Sequence, residues 1–87
     1  MRVLKFSASW CNPCKNLQKS LQENEDVLKY KVEDIDIDES LEETKKYGIR
    51  AVPTIVLLDD DNNEIDRSTN IKTAKQLREW TDNNEQA

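Results

Sequence analysis

Two cysteines three residues apart, Cys11 and Cys14, are the side chains in this 87-residue sequence best suited to chemistry. They lie in Trp10-Cys11-Asn12-Pro13-Cys14-Lys15, where a strand-like apolar segment gives way to a helix-like one. Two thiols at that spacing on a helix start can close a small disulfide ring with little backbone movement. Cys11 falls at the helix amino terminus, where free N–H groups and the macrodipole favour an anion. A thiol there ionises more readily, and the thiolate is the attacking species in exchange. Cys14, one turn in and shielded, is placed to resolve a mixed disulfide. A purely structural disulfide is poorly motivated, because so short a loop yields little stabilisation. Zinc would need four ligands, which two cysteines reach only if two chains share the metal.

Composition narrows the alternatives. The chain has no histidine, which removes Ser-His and Cys-His hydrolase chemistry. Its net charge of −5 argues against a nucleic-acid module and against docking on anionic lipid. No apolar run is long enough to span a membrane. Charge interrupts Met1-Arg2-Val3-Leu4-Lys5 at once, so no signal-peptide core is visible and a cytoplasmic location is expected. The acidic run Asp34-Ile35-Asp36-Ile37-Asp38 fails as a calcium loop, since Glu39 and Lys45 stand where glycine and an acid are needed. Asp59-Asp60-Asp61 reads as a solvated turn. No metal ligand set is expected, and a single domain over residues 1–87 fits the length.

The elements that must hold the cysteines follow from periodicity. Residues 2–7 read as a strand, with Val3, Lys5 and Ser7 on one face and Leu4 and Phe6 on the other. A helix over 12–24 carries Cys14, Leu17 and Leu21 on its apolar stripe, with Pro13 tolerated in the first turn. Residues 30–37 alternate as a second strand. Ser40-Leu41-Glu42-Glu43 has the form of a capping box and starts a short helix, which Gly48 closes in a left-handed conformation. Thr54 to Leu58 is continuously apolar, as in a strand buried on both faces. A turn over 59–63 leads to a charged edge strand over 64–68. Thr73 caps a last helix with Leu77 and Trp80 inward, and the tail from Asp82 to Ala87 is expected to fray. The order β-α-β-α-β-β-α predicts an α/β fold: a four-stranded mixed sheet with helices on both faces.

Val3-Leu4-Lys5-Phe6, the Trp10–Lys15 motif, Lys46-Tyr47-Gly48-Ile49-Arg50-Ala51-Val52-Pro53-Thr54 and Gln76-Leu77-Arg78-Glu79-Trp80 together resemble the thioredoxin family in order and spacing. The resemblance covers nearly the whole chain, but lacks the family's usual first strand and helix, as in a minimal member. It implies a thioredoxin-like fold and a protein-disulfide reductase acting through Cys11 and Cys14, with no cofactor beyond that redox-active pair. It also implies a monomer with protein disulfides as substrates and a thioredoxin reductase-like flavoprotein as electron donor. Ribonucleotide reductase is among the partners it suggests. Trp10, Ala51, Val52 and Pro53 would form the substrate platform. Taken alone, Pro53 is equally an ordinary trans proline opening a strand; the resemblance implies cis.

Departures from the family pattern matter as much. Asn12-Pro13 replaces the usual Gly-Pro between the cysteines, and Ser7 and Asn70 replace an aromatic and a glycine. Asn70 is a residue that tolerates a left-handed backbone. Where the family buries an aspartate beneath the disulfide, this chain has Lys5; the family's neighbouring lysine is matched by Asp34. That suggests an inverted charge pair supporting Cys14, against the alternative that Lys5 snorkels to solvent. Two other functions stay open. A glutathione-dependent, glutaredoxin-like reductase is disfavoured because Ser68 to Thr73 lacks the glycine pair used to hold the tripeptide. A non-catalytic binding subunit would tolerate loss of both cysteines.

Overall fold

The alternation of Arg2–Ser7 makes it the central strand, β1, because both of its faces carry apolar side chains. Our computed structural model describes residues 1–86. In it, β1 pairs in parallel with β2 (Val32–Asp36) and antiparallel with β3 (Thr54–Leu58). β3 in turn pairs antiparallel with β4 (Glu64–Ser68), giving the sheet order β2-β1-β3-β4. Helices α1 (Asn12–Glu23), α2 (Leu41–Lys46) and α3 (Ala74–Glu85) connect and cover it. No helix among the described residues is long and apolar enough to cross a membrane.

The period of two along β1 sorts the core into two layers. Val3 joins Ile55 and Leu57 under Leu17 and Leu21 of α1 and Ala74 and Leu77 of α3. Leu4 and Phe6 face the other way, with Ile35, Val56 and Leu58, and are covered by Ile37, Tyr47 and Ile49 beside α2. All five residues of β3 are buried, as its unbroken apolar run requires. The four-stranded mixed sheet with helices on both faces is thus as expected.

Several local expectations are corrected. β2 is shorter than the 30–37 segment, because Tyr30 turns away to bond the carboxylate of Glu85. A single 3₁₀ turn, Glu25–Val27, precedes it without having been anticipated. Ser40 starts α2 but makes no side-chain cap; its carbonyl instead accepts from the N–H and hydroxyl of Thr44. Its ψ of 63° departs from the extended backbone that capping needs. The left-handed non-glycine residue is Asn62 at φ 64°, not Asn70. The segment from Asp82 to Glu85 does not fray but continues α3. Lys29 Nζ bonds Glu85 at 2.8 Å, and Asn84 donates to Asp66 at 3.1 Å. The bonds from Lys29 and then Tyr30 hold the Glu85 carboxyl below the usual glutamate range. Ala87 lies outside the described residues.

Gly48 terminates α2 at φ 62°, with its N–H on the carbonyl of Lys45. A β-carbon added there would meet nothing within 4 Å. The cost of Gly48→Ala is therefore backbone conformation alone, and we expect a loss of about 1 kcal/mol in urea unfolding. A loss several times larger would reveal a packing role that this open surroundings does not provide.

Candidate active site

β1 and β2 run in the same direction, and their carboxyl ends meet the start of α1. That is the end of an open α/β sheet at which sites form. After Ser7, a tight turn closes with the Cys11 N–H on the carbonyl of Ala8 at 3.2 Å. Cys11 is the N-cap of α1: its backbone is extended, and its carbonyl accepts the first helical bond from Lys15. Its Sγ accepts from the Cys14 N–H at 3.2 Å, the place of a capping oxygen. Cys11 and Cys14 are joined in a disulfide with their Cα atoms 5.3 Å apart. Pro13 lies in the first helical turn, where its missing N–H costs nothing.

The expected shielding of Cys14 relative to Cys11 is not what separates them, since both are buried in the disulfide form. Their neighbours differ instead. Cys11 Sγ lies 3.7 Å from the carbonyl oxygen of Val52. The Val52–Pro53 peptide bond is cis. Among the described residues, neither the N–H nor the carbonyl of Val52 has a backbone hydrogen-bond partner. Ala51 is exposed and Val52 and Pro53 are half-buried. Trp10 is 65% exposed, and its indole N–H donates to Asp38 Oδ2 at 3.0 Å. Val52 thus packs against the cysteine pair, and Trp10 directly precedes Cys11 in the chain.

On the other side of the disulfide lie Lys5 and Asp34, cross-strand neighbours in the β1–β2 register. Lys5 Nζ is 2.7 Å from Asp34 Oδ1 and also donates to Gln18 Oε1. Lys5 is 2% exposed, so it does not snorkel. Two polar residues of this neighbourhood escaped the sequence reading. Gln18 was detectable only as the residue one helical turn beyond Cys14. Asp38 belongs to the acidic run that fails as a calcium loop, and nothing local in the sequence ties it to Trp10.

The arrangement has the parts that dithiol exchange requires: a sulfur pair able to close, one sulfur at a helix amino terminus, and an unpaired backbone segment beside it. Comparison with known proteins agrees. The family model described as Thioredoxin matches residues 1–83. A thioredoxin of Rickettsia bellii is 36% identical over 84 residues, covering 94% of this chain and 79% of that protein. A thioredoxin of Bacillus subtilis is also 36% identical, covering 85% of this chain and 72% of its own length. In fold, thioredoxin 1 from Thermosipho africanus superposes with a TM-score of 0.79 at 21% identity, over 99% of this chain and 96% of that one. With that match over nearly its whole length and a closed Cys11–Cys14 pair at the head of α1, the chain belongs to the thioredoxin family and is a thiol–disulfide oxidoreductase.

Proposed function

We propose that this protein is a cytoplasmic protein-disulfide reductase in which Cys11 is the nucleophile and Cys14 the resolving thiol. The observation that carries the assignment is the position of Cys11 Sγ, which caps α1 and lies beside the unpaired backbone of Val52. In the reduced protein, the Cys14 N–H and the helix start favour a Cys11 thiolate. That thiolate attacks one sulfur of a substrate disulfide; the other substrate sulfur leaves as a thiolate and takes up a proton. Cys14, deprotonated, then attacks Cys11 Sγ, and the second substrate sulfur departs. Two electrons have passed to the substrate, and the protein is left with the disulfide seen in the structure.

Substrate recognition on this reading is β-addition: an extended segment pairs with Val52 while its side chains rest on Trp10 and Ala51. A thioredoxin reductase-like flavoprotein would return the electrons. Ribonucleotide reductase is one protein disulfide substrate of the kind expected.

The test is reduction of insulin, supplied in parallel with NADPH and a thioredoxin reductase, or with glutathione and its reductase. We expect turnover with the first donor and little with the second; the reverse ranking would make the protein glutathione-dependent. Trp10→Ala should raise KM for insulin roughly tenfold, the equivalent of ~1.4 kcal/mol of contact. Reduction of the small disulfide dithionitrobenzoate should be unaffected. Equal loss on both substrates would remove Trp10 from the platform.

A further inference from the structure

Beside Cys14 the chain buries a cation that the exchange steps leave without a role. Lys5 holds its ammonium between Asp34 Oδ1 and Gln18 Oε1. Burying a lone ammonium is costly, and the contacts with a carboxylate and an amide oxygen offset that cost. The Asp34 side chain is 55% exposed, so the pair is closed at the lysine end and open to water at the other. Gln18 follows Cys14 by one turn on the same face of α1. Lys5, Cys14, Gln18 and Asp34 share the wall of one open groove of about 510 Å³ between α1 and β2. Trp10, Cys11, Ala51, Val52 and Pro53 do not line it. Cys14 thus borders a groove that the proposed substrate platform does not line.

The other charges facing this groove are Lys15 and Lys19 from α1, Asp36 from β2 and Glu39 from the turn before α2. β3 contributes none, since Ile55 is the neighbour of Lys5 there. These outer charges are of mixed sign and lie where water screens them. The Lys5 ammonium is the buried charge among them.

We propose that Lys5 is an electrostatic positioning residue for resolution, stabilising the Cys14 thiolate while the rear groove carries the Cys14 proton to water. This rests on Cys14 being the resolving thiol. The step balances simply. The Cys14 S–H proton passes to groove water. The thiolate forms the Cys14–Cys11 bond as the bond from Cys11 to the substrate sulfur breaks. The departing substrate thiolate is protonated from solvent on the platform side. Asp34 tempers the ammonium, so the two residues act on Cys14 with opposite sign.

The experiment follows Cys14 alone, in a Cys11→Ser background, by ultraviolet thiolate absorbance against pH. Lys5→Met should move the midpoint upward by about one pH unit, a tenfold loss of thiolate below it. Asp34→Asn, an exposed near-isosteric change, should move it downward, and it decides the matter should Lys5→Met not fold. With both cysteines present, Lys5→Met should slow resolution of a preformed mixed disulfide about tenfold near neutral pH, converging with the parent protein at alkaline pH. Midpoints that stay fixed or shift in the same direction, or a rate loss equal at every pH, would overturn the proposal. A Cys14→Ser variant that fails to trap substrate would instead remove the resolving role beneath it.

Discussion

Replacing Cys11 with serine is expected to reduce disulfide reduction to background, whereas Cys14→Ser should attack once and then accumulate as a mixed disulfide with its substrate. Access alone does not separate the two sulfurs, because both are buried while bonded to each other. The asymmetry lies in what surrounds each. Cys11 Sγ has the Cys14 N–H at 3.2 Å and borders Val52, where an extended substrate would lie. Cys14, equally buried, borders the groove between α1 and β2 instead. When the disulfide is reduced, the negative charge therefore settles on the sulfur that a substrate can reach. Mass spectrometry after brief alkylation of the reduced protein near neutral pH should find Cys11 modified first. Modification of Cys14 ahead of Cys11 would reverse the assignment.

The largest effect on stability should come from Phe6→Ala. Phe6 is fully buried among Leu4, Ile35, Val56 and Leu58, its ring centroid 5.7 Å from that of Tyr47. Truncating a buried phenylalanine costs ~3–5 kcal/mol through lost transfer energy and the cavity left behind. A domain of this size holds only ~5–15 kcal/mol in all. Each kcal/mol lowers Tm by roughly 4–8 °C, so the variant should melt well below its parent or fail to fold at ambient temperature. Ile65→Ala on the exposed edge strand β4 is the control, with an expected change of under ~1 kcal/mol. Urea unfolding of the oxidised proteins checks both. Similar costs at the two positions would contradict the division of the core described above.

Features governed by neighbours close in sequence were legible; features that depend on distant partners were not. β1 and its two faces, Cys11 at the head of α1, and the buried run of β3 all follow from periodicity and local chemistry. The alignment of Lys5 with Asp34 also came from the sequence, by counting along strands of the resembled family, and the β1–β2 register has them opposite. What periodicity could not show was Glu85 meeting Lys29 and Tyr30, more than fifty positions away, which turns an expected loose tail into the last turn of α3. The link from Trp10 to Asp38 and the amide of Gln18 under Lys5 are hidden for the same reason. Ser40 shows the opposite limit, since its local pattern matches a capping box but the backbone entering from β2 arrives at the wrong angle for its side chain to cap.

Gly48 closes α2, and it is the only glycine in the sequence, because the other left-handed position is filled by Asn62. The consequence falls on the denatured ensemble. A chain of this length and ordinary composition would carry about six glycines. Each glycine replaced at a compatible position narrows the unfolded chain's freedom, worth ~0.4–1 kcal/mol. The near absence of glycine thus leaves less disorder to lose on folding, by about 2–5 kcal/mol, which offsets the modest core of so short a chain. It also closes a common route to thermostabilisation: there is no second glycine to replace, and the one present occupies the backbone conformation that penalises every substitute.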